Sequence, residues 1–128
     1  MDIGSGNGSP AIPLAVVCHF VRCHLIESRT KRAVFLRHIK STLGVSEVVV
    51  HGDRFEDCAG EIESPDWVTL QAVALTGKLL DSIRQIAVKT TSVVWITSSA
   101  RRGMVKAGTE LKVPMTGTRV FVLSMDLS

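Results

Sequence analysis

An α/β fold with a mainly parallel sheet and a closing antiparallel hairpin is what this sequence predicts. Three observations carry that prediction. Apolar, β-branched segments alternate with segments of helical periodicity, a glycine-rich turn follows the first apolar residues, and the last two strand-like segments flank a Pro/Gly turn.

The elements follow in order. Met1 to Ile3 is the end of a first strand, and Gly4 to Ser9 is the turn after it. Pro10 to Cys18 reads as a short apolar helix whose early prolines suit a first turn, where no backbone donor is needed. Phe20 to Glu27 reads as a buried strand ending in an acid. Thr30 to Leu43 is an amphipathic helix, with Ala33, Val34, Leu36, Ile39 and Leu43 near helical spacing and Gly44 as its stop.

Glu47 to Val50 is a β-branched run of the kind found in parallel strands, and His51 to Ser64 is loop with room for one helical turn. Asp66 to Ala74 is a strand. Thr76 to Val88 is a helix with Leu79, Leu80, Ile83, Ile86 and Ala87 on one side, and Ser92 to Thr97 is the next strand. Glu110 to Val113 and Thr118 to Ser124 pair around Pro114 to Gly117. Phe20, Phe35 and Phe121 have apolar neighbours and are expected in the core.

With 128 residues and no repeat or linker, the chain reads as a single domain, 1–128. Apolar residues make up 45% and charged residues 21%, a balance that excludes disorder. No apolar run reaches the ~20 residues a membrane span needs, and the first residues lack the basic and apolar regions of a signal peptide. A cytoplasmic protein without membrane contact is expected. The net charge of +3 is compatible with a nucleic-acid partner without arguing for one. The three cysteines are an odd number without a CxxC pair, so no disulfide framework is expected. Cys18-His19 and Cys23-His24 resemble metal-ligand spacing, but strand alternation sends Cys23 and His24 to opposite faces. The expectation is no metal, buried thiols and surface imidazoles.

The chemistry sits in Asp2-Ile3-Gly4-Ser5-Gly6-Asn7-Gly8-Ser9. Glycines let a backbone turn tightly and approach a ligand closely. A dinucleotide fingerprint would place its third glycine at position 9, where this chain has Ser9; the glycine comes one residue early. That spacing favours S-adenosylmethionine over NAD. Glu27, at the end of the next strand, can accept both ribose hydroxyls of a nucleoside, because an ionised carboxylate is acceptor-only.

DIGSGNGSPAIPLAV, LIESRTKRAVFLRHI and VVVHGDRFED together resemble the ribosomal RNA small-subunit methyltransferase G family, also called glucose-inhibited division protein B. The matching residues are Asp2, Gly4, Gly6, Gly8, Pro10, Pro13 and Leu14, then Glu27, Ser28, Lys31 and Arg32, then Phe35, Leu36 and Arg37, then Arg54 and Glu56. Pro114 and Arg119 resemble the family's closing pattern. The resemblance implies a Rossmann-like class I methyltransferase fold and S-adenosylmethionine-dependent methylation of a guanine N7 in 16S ribosomal RNA. It also implies that the first strand and a preceding helical region are truncated here.

By position, Gly4, Gly6, Gly8 and Ser9 would cradle the cofactor, with Gly4 and Ser9 on its methionine side. Glu27 would hold the sugar, Phe55 and Glu56 would lie against the adenine, and Gln71 would take another cofactor-side position. Arg29, Lys31, Arg32, Arg101 and Arg102 are the candidate RNA contacts. Where the family pattern has Ser-Arg-Ala this chain has Leu70-Gln71-Ala72, and where it has Leu-Lys-Gly this chain has Thr97-Ser98-Ser99. Two readings therefore stand at this point: an active RNA methyltransferase, or a degenerate module that binds the cofactor without transfer. A shortened first strand would leave neighbouring strands exposed, which makes a homodimer possible.

Overall fold

The computed structural model describes residues 1–19, 22–98 and 108–124. The chain forms two compact units, Met1–Ile62 and Glu63–Ser128.

The first unit runs β1 (Asp2–Ile3), α1 (Ala11–Val17), β2 (Cys23–Ile26), α2 (Thr30–Leu43), β3 (Val48–His51) and α3 (Phe55–Cys58), then a 3₁₀ turn at Ala59–Glu61. Its strands lie in the order β3-β2-β1 and are all parallel, with Asp2 opposite Leu25, Cys23 opposite Val48 and Ile26 opposite His51. Cys23, Leu25 and Val48 share one sheet face and pack with Ala11, Ile12 and Ala15 of α1 and Leu36 of α2. Gly44 ends α2 at φ 65°: its N–H donates to the Ser41 carbonyl and the Val45 N–H to the Lys40 carbonyl, the paired bonds of a Schellman cap.

The second unit runs β4 (Trp67–Gln71), α4 (Gly77–Ile86), β5 (Ser92–Thr97), β6 (Thr109–Lys112) and β7 (Arg119–Ser124). β4 and β5 are parallel, while β7 is antiparallel to both β5 and β6. Val68, Leu70, Ile83, Val93 and Trp95 are its buried residues of largest consequence. Thr76 caps α4 by accepting the Leu79 N–H at 3.2 Å. The predicted α/β class is observed, with strands and helices alternating before an antiparallel hairpin.

Several expectations need correction. Val34, Phe35 and Leu43 are 57%, 44% and 51% exposed, so Phe35 is not a core residue. Ala33 and Leu36 are the buried residues of α2, with Ile39 packed against the core, and Val34 and Phe35 sit about 100° and 200° round the helix from Ala33. Phe121 is half-buried, 5.5 Å from Trp95 between ring centres; Phe20 lies outside the described residues. β4 stops at Gln71 rather than Ala74 because Ala72 turns to φ 54°. The loop after β3 holds the short α3 and the 3₁₀ turn, where one helical turn was expected.

Among the thiols, Cys23 and Cys58 are buried but Cys18 is half-buried. His24 is not a surface imidazole. Its Nδ1 lies 2.9 Å from Nε2 of His51 on the neighbouring strand, one ring nitrogen donating and the other accepting.

Candidate functional site

The glycine turn is built by the end of β2. The N–H groups of Gly4 and Ser5 both donate to the Ile26 carbonyl, at 2.9 and 3.0 Å, so the chain leaves β1 while still tied to its neighbour. The Gly8 N–H then donates to the Ser5 carbonyl at 2.7 Å, and the Ile12 N–H to the Gly8 carbonyl at 2.7 Å, which carries the turn into α1. Gly4, Gly6 and Gly8 have φ of 73°, 56° and 93°, the left-handed region that a side chain disfavours.

The three glycines do different work. Gly4 is exposed and Gly6 half-buried, so their backbone is open to approach from solvent on one side. Gly8 is buried and faces α1 and α2 instead. Ser9 is half-buried, its N–H donating to Asn7 Oδ1 at 3.2 Å.

Glu27 is 5% exposed and lies where β2 ends. Its Oε2 accepts the Gly6 N–H at 2.9 Å and its Oε1 accepts the Arg29 N–H at 2.8 Å. One carboxylate thus joins the glycine turn to the entry of α2. Each oxygen has a second lone pair, so the group retains acceptor capacity for two further donors. The Glu27 N–H donates to the His51 carbonyl at 3.0 Å, which sets the ends of β2 and β3 together. Beyond β3, Phe55 is buried and Glu56 exposed. The Phe55 ring therefore belongs to the core, and Glu56 is the side chain that this turn presents to solvent.

The structure brings Gly4, Gly6, Ser9 and Glu27 together at one end of the parallel strands. Gln71 belongs to the second unit, exposed at the end of β4. It lines a cleft of about 430 Å³ with the neutral polar residues Thr97, Ser98 and Thr118 and the apolar residues Val73, Trp95 and Ile96. The Trp95 Nε1–H is occupied by the Val73 carbonyl at 3.0 Å. Sequence reasoning singles out Gln71, Thr97 and Ser98 against the family pattern but not the cleft that they share.

Arg29, Lys31 and Arg32 are exposed. Arg32 reaches toward the glycine turn, its guanidinium 3.7 Å from where a Gly6 β-carbon would stand. Arg101 and Arg102 lie outside the described residues. Among the described residues no cluster of three or more His, Cys, Asp or Glu is placed to hold a metal ion. Among those residues, too, no helix is long and apolar enough to cross a membrane.

Comparison with known proteins gives a consistent picture. Residues 1–119 match the GidB family model, rRNA small subunit methyltransferase G. The ribosomal RNA small subunit methyltransferase G of Helicobacter pylori is 41% identical over 81 residues, covering 63% of this chain and 45% of that protein. The one from Geobacillus kaustophilus is 30% identical over 132 residues, covering 98% of this chain and 56% of its own length. The chain thus spans about half the length of the curated relatives it matches. An RNA methyltransferase from Salinibacter ruber, solved with S-adenosyl-L-homocysteine, superposes with a TM-score of 0.80 at 22% identity, over 99% of this chain and 80% of that one. An rRNA methylase from Streptococcus thermophilus gives 0.72 at 14% identity, over 96% and 83%. These likenesses establish the fold as that of class I methyltransferases.

Proposed function

The chain belongs to the rRNA small subunit methyltransferase G family, and from that premise we propose that it binds S-adenosylmethionine at the glycine turn and methylates small-subunit ribosomal RNA. The observation that carries the proposal is the Glu27 carboxylate, buried and bonded on one side to Gly6 and on the other to Arg29.

The donor set suits a nucleoside cofactor. An acceptor-only carboxylate at the strand end matches the vicinal hydroxyls of a ribose. The bare backbone of Gly4 and Gly6 allows a ligand to approach closer than any side chain would permit. Glu56 stands exposed on the turn after β3, where the family pattern places adenine contacts. When bound, S-adenosylmethionine supplies an electrophilic methyl group.

The residues of this chain need only bind and align. The family resemblance points to guanine N7, whose lone pair is free at neutral pH, so no side chain has to remove a proton before transfer. Holding nucleophile and methyl group in line supplies most of the rate.

Two measurements test this. Calorimetric titration of the chain with S-adenosylmethionine is expected to give saturable binding that Glu27→Ala abolishes, with NAD giving none. Labelled methyl is then expected to appear in a fragment of small-subunit ribosomal RNA. Saturable binding without transfer to any ribosomal RNA would identify a cofactor-binding module, and no binding by a folded chain would refute the proposal.

A further inference from the structure

We propose that the outer face of α2 is a binding surface for single-stranded RNA, on which Phe35 stacks a base while Lys31 and its basic neighbours hold phosphates. This rests on the reading of the chain as an RNA-modifying protein and places the RNA on it.

The segment from Ser28 to Ser46 holds Arg29, Lys31, Arg32, Arg37 and Lys40, with no Asp or Glu. A solvated helix face normally interleaves both signs and gains i,i+4 ion pairs. This one does neither. Among the described residues no carboxylate pairs with Lys31 or Arg32; the ion pairs found are Arg84–Asp81 and Arg119–Glu110, both in the second unit. Lys31 and Arg32 are both exposed, so their field reaches solvent, where a polyanion can use it.

Phe35 is the second observation. It is 44% exposed, although α2 has Leu36 beside it fully buried. At 100° per residue, Lys31, Val34, Phe35, His38 and Thr42 fall within an arc of about 100°, and all five are exposed. The helical neighbours of Phe35 at i−4 and i−3 are Lys31 and Arg32, both cations. An aromatic ring beside exposed cations is the arrangement by which proteins hold unpaired nucleotides, since every base has a face to stack and a phosphate beside it. A protein partner would be expected to meet a broader apolar area with fewer charges at its centre. Here two apolar side chains, Val34 and Phe35, stand beside the exposed cations Lys31 and Arg32.

The test uses the whole chain and a fluorescently labelled single-stranded fragment of small-subunit ribosomal RNA, with affinity followed across a salt series. Phe35→Ala is expected to weaken binding about tenfold, the conversion of a base–aromatic stack at 1.4 kcal/mol per decade, and Phe35→Trp to restore it. Lys31→Glu is expected to weaken binding and to lower the slope of log affinity against log salt by about 0.7 or more, one phosphate contact on a single strand. Both substitutions are at exposed positions, so thermal unfolding and S-adenosylmethionine affinity should match the parent chain. RNA binding that is indifferent to Phe35→Ala and Lys31→Glu overturns the assignment of α2 alone. A folded chain that takes up the cofactor but no RNA overturns the assignment together with the reading beneath it.

Discussion

A β-carbon on Gly8 would stand 2.7 Å from Cγ1 of Ile12, closer than real side chains approach one another. It would also meet Cδ2 of Leu36 at 3.2 Å. Gly8 is thus the point where the glycine turn, α1 and α2 close on one another, and its role is packing as much as turning.

Gly8→Ala combines two costs. An alanine at φ 93° is strained, by about 1–3 kcal/mol. Forcing a methyl group against Ile12 and Leu36 adds about 1–3 kcal/mol of overpacking. A total loss of about 3 kcal/mol is expected in urea unfolding. Gly44→Ala, where nothing stands within 4 Å, has only the backbone term to bear and should lose less. Equal losses at the two positions would show that the contact with Ile12 is relaxed away.

Glu27→Gln separates the two duties of that side chain. The amide keeps one carbonyl oxygen, so one of the bonds to Gly6 and Arg29 is replaced by an NH₂ facing an N–H. A hydrogen bond to a charged group is worth about 1.5–3 kcal/mol, and a tenfold or larger loss of cofactor affinity is expected by calorimetry. Amide hydrogen exchange over Gly4 to Gly8 should also speed up in the cofactor-free chain, because the turn loses an anchor. Exchange that matches the parent would mean the carboxylate acts on the ligand only.

How much of this was legible in the sequence depends on how local each feature is. Thr30–Leu43 and Ser92–Thr97 are found at the predicted residues, since a glycine stop and a β-branched run are written in consecutive positions. Glu27 stood out as an acid at a strand end. That it ties Gly6 to Arg29 could not be read, because the bond spans 21 residues and depends on how β1 and β2 register. The His24–His51 pair escaped for the same reason, being made by neighbouring strands. Phe35 was misplaced because its apolar neighbours in sequence, Val34 and Leu36, point to different sides of the helix.

The cysteines should differ in reactivity with a definite order. Burial pushes the Cys23 and Cys58 thiols up from the ordinary value of 9.0, and both are nearly inaccessible. Cys18 is half-buried. Iodoacetamide at pH 8 is therefore expected to modify Cys18 first, with the other two reacting only in denaturant. The sign of the pH effect follows. A thiol whose folded value is raised favours its neutral form in the fold, so its contribution is complete below about pH 9 and lost as pH rises through the folded value. The urea midpoint should fall at alkaline pH, and Cys23→Ala should flatten part of that fall. Cys23 labelled as fast as Cys18 in the native chain would contradict the burial argument.

Thr91 offers a test in the second unit that leaves the glycine turn untouched. It is 1% exposed, and its Oγ1 donates to the Pro65 carbonyl at 2.7 Å while accepting the Val88 N–H at 3.0 Å. One hydroxyl thus joins the end of the α4 connection to the segment that leads into β4. Thr91→Val keeps the shape and removes both bonds. Two backbone groups then lose their partners, at about 1–3 kcal/mol for each one left buried, so a loss of about 2–4 kcal/mol is expected. Thr91→Ser keeps the hydroxyl and should recover most of it, with only the methyl contact gone. Urea unfolding of the three chains would measure both effects. If valine proves as stable as threonine, water must be reaching the Pro65 carbonyl and the Val88 N–H, and the hydroxyl is dispensable to this unit.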